Sequence, residues 1–319
     1  KLIGIEGEEN TTQETRFANY LRQLFPADVK TMTVAARALG KLAQQGGTFT
    51  TEFVEFELKR AIEWLTGDRQ EARRHASVLV IAELARHADV IVYPHVTSIL
   101  EHIWVAFKDP NQNIRGAAAD ALSAVLVIVD DRESPKKAGW YSRIYEEAQR
   151  GLRIASTESI HGSLLIYREL LLHAGMFMNE LYMLTCETVF QYKDHRDGLV
   201  RRAVISLIPD LAAYKSIVFA STYLDRSMLH ILSQLRKDKE RSLMKEKDRS
   251  NAFFAIGKVA LVAGANMGEY LDDILICIKD GLKSKRFVRQ NTHIANLLRL
   301  SQLLRFWKWT NDSITCDVH

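Results

Sequence analysis

A helical segment recurs along this chain, and nearly every copy carries a basic residue at the same position. These marker residues, at intervals of 42, 46, 40 and 48, are Arg73, Arg115, His161, Arg201 and Arg249. The match of Leu39–Ala43 (LGKLA) with Ile256–Ala260 (IGKVA) places Met32 at the same position, 41 residues before Arg73. Five intervals span 217 residues, or about 43 per copy, the length of a two-helix HEAT or armadillo repeat. Stacked repeats build extended surfaces, so binding rather than catalysis is the first expectation.

The repeat predicts an all-α fold, a HEAT/armadillo-type right-handed α-solenoid of about six to seven helix pairs over residues 1–285. Each pair has an amphipathic helix A, a polar turn and a helix B rich in small residues. The predicted repeats lie near residues 15–46, 47–89, 90–131, 138–175, 178–215 and 220–264, with a partial repeat from residue 268. Residues 286–319 are predicted as a separate helical tail, because no turn of the repeat type precedes their apolar positions.

Turn residues predict where individual helices begin. Asp109 is placed to cap the third helix B, and Pro110 to occupy its first position, where a missing N–H costs nothing. Thr50 or Thr51 is the predicted N-cap of the second helix A. Pro209 falls inside the fifth helix B and is expected to kink it.

Composition narrows the class of protein. Hydrophobic residues make up 47% and charged residues 26%, as in a soluble globular protein. A net charge of +4, spread along the chain, is too small to imply nucleic acid or membrane as partner. The three cysteines have no paired spacing, which favours a reducing compartment and argues against zinc or disulfides. We therefore expect a soluble intracellular protein without a transmembrane segment, and a fragment of a longer one, since no initiator Met is present.

The recurring arginines invite comparison with an anion site. An aspartate precedes three of them by four to six residues, in the pairs Asp68–Arg73, Asp109–Arg115 and Asp197–Arg201. In stacked repeats such arginines more commonly form a ladder, because a guanidinium can satisfy two acceptors of its own or the next repeat. We interpret these six residues as structural.

No catalytic, cofactor-binding or metal-binding residue is predicted. The ten histidines occur in no metal-ligand spacing, and no phosphate-binding glycine loop is present. Ser134–Lys137 spells S-x-x-K, but in a polar loop rather than at a helix start. Function is instead expected from exposed side chains on the helices. The candidate partner-binding residues are Arg37, Lys41, Lys59, Arg60 and Arg74, together with the charged stretch Arg236–Arg249.

Segments that do not recur from repeat to repeat identify the class of protein more specifically than the repeat length does. These stretches are Val34–Ala43, Gly46–Thr50, Val54–Glu57, Lys59–Leu65, Asp68–Arg69, Arg73–Ala76, Val78–Val80, Trp140–Tyr141, Glu146–Ala148, Ile160–Gly162 and Lys239–Ser242. Together they resemble the amino-terminal HEAT region of the TOR (target of rapamycin) kinases, of the PI3K-related class, over about residues 30–282. A generic HEAT protein would not share a run such as Gly-Gly-Thr-Phe-Thr.

The resemblance implies a parent serine/threonine kinase whose catalytic domain lies outside this chain. It implies a scaffold that supports dimeric TOR assembly, contacts a raptor-type subunit and, in animals, helps receive a small GTPase. It further implies a cytoplasmic location, or a peripheral one on vacuolar, lysosomal or other endomembranes through the complex.

Two other functions stay open. A HEAT-repeat adaptor of nuclear-transport or chromatin type, binding peptide signals or nucleic acid, predicts a concave stripe of a single charge sign, which the mixed charges do not favour. A catalytic domain would need a convergent pocket, of which the sequence gives no sign.

Overall fold

The computed structural model of the chain describes residues 29–67, 70–132, 134–154, 156–236 and 246–283. The chain divides into two compact units, Lys1–Asn179 and Glu180–His319. Every regular element in the described ranges is helical. Several predicted features lie outside these ranges: the first helix A, Asp68, residues 237–245 of the charged stretch and the tail 286–319.

Unit one is a series of helix pairs. Its helices are α1 (Val29–Gln45), α2 (Thr48–Gly67), α3 (Glu71–His87), α4 (Asp89–Val92), α5 (Val96–His102), α6 (Trp104–Phe107), α7 (Gln112–Asp130), α8 (Lys137–Arg153) and α9 (Thr157–His173). The B helices pack side by side, since α3 contacts α1 and α7, and α7 contacts α9. The A helices α2 and α8 pack against α3 and α9 respectively.

Unit two repeats this plan. Its helices are α10 (Met178–Gln191), of which the first two residues precede the unit boundary, α11 (Gly198–Tyr214), α12 (Ser216–Thr222), α13 (Leu224–Arg236), α14 (Glu246–Ala263) and α15 (Leu271–Lys283). The B helices α11 and α14 pack together, while α13 packs against α14 and α15. The partial repeat predicted from residue 268 contains α15, which follows a 3-10 turn at Gly264–Tyr270.

Helix α7 shows how the core forms. Ile114, Ala118, Ala121, Leu122 and Val125 are fully buried, and small residues let neighbouring helices approach. By length and composition α7 is the one helix in the described ranges that could span a membrane. Because 67% of its apolar window is buried inside the protein, we assign it to the core of unit one.

The start of α7 differs from the prediction. The N-cap is Asn111, whose side chain accepts a hydrogen bond from the backbone N–H of Asn113 at 2.8 Å. Asp109 does not cap the helix, because its carboxylate accepts instead from the Asn111 backbone N–H and from Arg74. Pro110 consequently lies two residues before the helix and not at its first position.

Two A helices also depart from the expected bounds. The third predicted helix A is interrupted, and a 3-10 turn at Tyr93–His95 contains Pro94, which cannot donate a backbone hydrogen bond. Helix α2 begins at Thr48, so neither Thr50 nor Thr51 is its N-cap. The Thr51 hydroxyl donates back to the Gly47 carbonyl at 3.0 Å. Pro209 lies inside α11, as predicted, and is buried.

One glycine marks a very close helix contact. A Cβ atom built on Gly162 of α9 would lie only 2.0 Å from the carbonyl oxygen of Phe107, the last residue of α6. Any larger side chain would push these two helices apart. The absence of a side chain at Gly162 thus sets how closely the fourth B helix approaches the third A helix.

Candidate interaction surface

Polar side chains join each repeat to the next. In unit one, pairs separated by 40 to 50 residues include Gln44–His87, Glu55–His95, Glu71–Asn111, Asp89–Arg132, Thr97–Trp140, Glu101–Arg143, Arg115–His161 and Ser123–His173. In unit two, pairs separated by 39 to 46 residues are Met183–Tyr223, Glu187–Arg226, Arg202–Asp248, Ser206–Asn251 and Asp225–Tyr270. The repeat period read from the sequence is therefore present as a series of physical contacts.

Arg115 is the most buried of the recurring arginines, with 1% of its surface exposed. Its Nη1 donates to the carbonyl oxygens of Asp109 at 2.5 Å and Pro110 at 3.0 Å. Its Nε donates to Nδ1 of His161, at 3.1 Å, in the following repeat. One guanidinium thus satisfies the turn of its own repeat and contacts the next.

Arg201 makes the equivalent contacts in unit two. Its Nη1 donates to the carbonyl oxygens of His195 at 2.6 Å and Arg196 at 2.8 Å, and Asp197 caps the same helix through the Leu199 N–H. Each of these backbone acceptors lies six or five residues before the arginine, as in the turn before α7. The two turns therefore have the same construction.

Arg73 does not lie at the equivalent position. The backbone N–H groups of Arg115 and Arg201 bond to the carbonyls of their N-cap residues, and in α3 it is Arg74 whose N–H does so across four residues. The Arg74 side chain also donates from Nε to the Asp109 carboxylate at 2.7 Å, joining two repeats. The Arg73 guanidinium lies 5.6 Å from the centre of the Trp64 ring. The sequence analysis therefore aligned Arg73 with Arg115 and Arg201, whereas Arg74 is the structurally equivalent residue.

The predicted partner-binding residues have different surroundings. Arg37 and Lys41 are exposed on α1. Lys59 is exposed but pairs with Glu55 at 2.8 Å. The Arg60 side chain is only 12% exposed, because it pairs with Glu57 and lies 4.9 Å from the Trp64 ring centre. The Arg74 side chain is 17% exposed and is held by an ion pair with Asp109 of the same unit.

Arg37 and Lys41 belong to a continuous basic row. Together with Lys30 and Val34 they recur at helical spacing along one side of α1, and all four side chains are exposed. We call these four residues the α1 row. Helix α1 contains no aspartate or glutamate, and none of the ion pairs among the described residues includes Lys30, Arg37 or Lys41. Sequence patterning identified two of the four members but missed Lys30 and Val34.

The described ranges contain no group of three or more His, Cys, Asp or Glu side chains that could hold a metal ion. The Cys186 thiol is fully buried, and burial raises its pKa to about 12, which leaves it protonated and unreactive at neutral pH.

The chain has relatives among known proteins. No protein-family model matches the chain. The chain is 42% identical to the Schizosaccharomyces pombe serine/threonine-protein kinase tor1 over 293 residues, 92% of this chain and 12% of that kinase. It is 36% identical to Saccharomyces cerevisiae TOR2 and 38% identical to Arabidopsis thaliana TOR, over 89% and 90% of its length. The chain spans about one eighth of the length of these relatives.

Among solved structures, the chain is similar to Kap121p in its complex with RanGTP. The TM-score is 0.57 with 12% sequence identity, covering 93% of this chain and 31% of that one. At this identity the likeness concerns the fold, and it confirms the predicted all-α, HEAT/armadillo-type class. Over the segment that it spans, the chain is homologous to the TOR serine/threonine-protein kinases.

Proposed function

We propose that this chain is a non-catalytic, protein-binding scaffold of a TOR-type kinase, with the kinase domain elsewhere in the parent protein. The observation that carries the proposal is the match of nearly the whole chain to about one eighth of three TOR kinases, combined with a fold of stacked helix pairs. Such a fold presents long surfaces built from many helices, which suits assembly better than chemistry.

The proposed partners are the other parts of a dimeric TOR complex, a raptor-type subunit and a small GTPase. In this role the segment acts in nutrient and growth signalling, in the cytoplasm and on vacuolar, lysosomal or other endomembranes through the complex. The surface we assign to one of these contacts is the α1 row. It places three cations within twelve residues, about 16 Å along the helix, around an exposed Val34.

The chemistry of the α1 row favours an acidic protein surface. Exposed cations without an internal partner lose no existing ion pair when a carboxylate approaches them. Val34, 65% exposed, offers an apolar contact between the charges. Lys59, Arg60 and Arg74 are weaker candidates, because binding would have to break contacts that they already make within unit one.

Charge reversal tests this assignment. The double variant Arg37→Glu/Lys41→Glu, in the full-length parent kinase, is expected to lose co-purification with the raptor-type subunit or the GTPase while keeping wild-type helicity and melting. The control is Lys279→Glu, which reverses another exposed lysine, on α15 of unit two. Unchanged recovery of every one of these partners with the double variant would remove the α1 row as a contact.

A further inference from the structure

A cleft of about 480 Å³ lies in unit one between the C-terminal parts of the B helices α3 and α7. The α7 side contributes Asp120, Ser123, Val127 and Asp131, and the side of α3 contributes Arg86 and His87. The volume falls in the range of clefts that bind ligands in proteins, about 300–1,000 Å³. We call it the α3–α7 cleft.

The cations that line the α3–α7 cleft are already engaged. Arg132 donates to the Asp89 carboxylate at 2.7 Å and lies over the Tyr93 ring, 4.5 Å from its centre. Arg86 donates to Glu83 at 3.1 Å. A bound anion would therefore have to compete with carboxylates that hold both guanidinium groups.

The carboxylates at the two ends of the α3–α7 cleft are not engaged in this way. Asp120 and Asp131 are both exposed, and neither takes part in an ion pair among the described residues. The neighbouring Asp130 shows the contrast, because it pairs with Lys137 at 2.9 Å. The charge still available in the cleft is therefore negative.

The spacing of these groups suits an elongated ligand. Asp120, Val127 and Asp131 are seven and four residues apart, so they lie on one side of the helix, with the two carboxylates about 16 Å apart along its axis. Val127, 44% exposed, lies between them, and Ala124 and Ile128 form the apolar floor. An extended peptide rises about 3.3 Å per residue, so about five residues would cover this distance.

We propose that the α3–α7 cleft binds a basic segment of a protein partner, with arginine or lysine side chains on Asp120 and Asp131 and an apolar side chain on Val127. The long methylene stems of these cations would lie along the apolar floor while their charged ends reach the carboxylates. This inference rests on the proposed scaffold function and adds the chemistry of one ligand. The same unpaired negative charge disfavours nucleic acids and anionic membranes as ligands.

The test uses fluorescence anisotropy with a fluorescein-labelled hexapeptide that carries arginine at positions 1 and 5 and leucine at position 3, because alternate residues of an extended peptide point to the same side. A matched peptide with citrulline in place of arginine keeps the shape and removes the charge. Wild-type chain is expected to bind the arginine peptide at least ten times more tightly than the citrulline peptide. The double variant Asp120→Asn/Asp131→Asn should weaken the arginine peptide at least tenfold, and Val127→Ser should weaken both peptides.

A second double variant controls for general attraction to acidic surfaces. Glu52→Gln/Glu146→Gln removes two other exposed carboxylates of unit one that have no ion pair among the described residues, and it should bind like wild type. Equal weakening by both double variants, equal affinity for both peptides or no binding by the wild-type chain would each overturn the proposal. These outcomes are separable from failure of the scaffold function, which is read from co-purification of the α1-row variants.

Discussion

Replacing Gly162 by alanine should destabilise unit one, although alanine is the better helix former. The new Cβ would lie 2.0 Å from the Phe107 carbonyl oxygen and 2.9 Å from its carbonyl carbon, whereas ordinary contact begins near 3.4 Å. Both contacts are with backbone atoms, which a change of rotamer cannot move away. Helix α9 would therefore have to separate from the end of α6 by more than 1 Å.

The magnitude follows from two opposing terms. Inserting a methyl group into a packed contact costs about 1–3 kcal/mol, while alanine in a helix gains about 0.5–1 kcal/mol over glycine. The expected net loss in the free energy of unfolding is about 1–2 kcal/mol. Gly116→Ala is the matched control, because Gly116 also lies inside a B helix but has nothing within 4 Å of the added Cβ. That variant should gain about 0.5–1 kcal/mol.

Urea unfolding followed by far-ultraviolet circular dichroism measures both variants. Hydrogen exchange with mass spectrometry then shows where the loss occurs, which should be in peptides covering Trp104–Phe107 and Thr157–His173. A Gly162→Ala variant as stable as the Gly116→Ala variant would refute the argument that backbone contact at Phe107 requires glycine.

Three other predictions concern buried groups. Arg74→Ala should lower the free energy of unfolding, measured in urea, by about 3 kcal/mol, because it leaves the nearly buried Asp109 carboxylate without its ion pair. The control Arg86→Ala removes an exposed ion pair and should lower it by less than about 1 kcal/mol. Equal losses in the two variants would contradict this reasoning. Burial lowers the pKa of His173, so the unfolded chain binds the proton more readily and stability falls as the pH drops below about 6.5. Between pH 7.5 and 5.5 the melting temperature should decline less in His173→Gln than in the wild-type chain. An identical decline in both would show that His173 does not cause the pH dependence. Burial raises the pKa of the Cys186 thiol to about 12, so this cysteine should not react with iodoacetamide at pH 7.5 until urea unfolds the chain. Mass spectrometry of the peptide that contains Cys186 measures the labelling. Rapid labelling of the native chain would show that the thiol is accessible.

The positions of the helices could be predicted because the signal is local. Apolar residues three and four apart describe one side of a helix, and this pattern survives wherever the helix packs. The fourth predicted repeat, residues 138–175, illustrates this, since α9 (Thr157–His173) lies within it and contains the marker residue His161. The interruption of the third helix A at Tyr93–His95 was missed, although Pro94 was visible in the sequence.

The cap of α7 shows why turn residues are harder to assign. Asp109, Pro110 and Asn111 each favour a helix start, and sequence preference alone cannot choose among them. The choice depends on Arg74, thirty-five residues earlier, which holds the Asp109 carboxylate and leaves Asn111 to cap the helix. A contact between repeats thereby decides a local boundary.

Contacts between helices also decide which of the predicted partner-binding residues remain available to a partner. Arg37 and Lys41 lie on a row of α1 without acidic neighbours, whereas Arg60 and Arg74 make ion pairs that the sequence pattern did not reveal. Exposure of a charged residue depends on which helix packs beside it. The α3–α7 cleft is likewise lined by residues of two B helices, so no motif in either helix alone could reveal it.

By itself, then, the sequence determined the repeat, the helical class and the family, because each of these depends on residue identity and short-range spacing. Tertiary structure decided which charged side chains are committed and which are available. Arg115 meets His161, and Arg74 meets Asp109, across 46 and 35 residues, and such pairs require the packing distance between adjacent helices. Gly162 illustrates both contributions. Its identity in the sequence contributed to the family resemblance, whereas only its contact with Phe107 in the tertiary structure explains why it must be glycine.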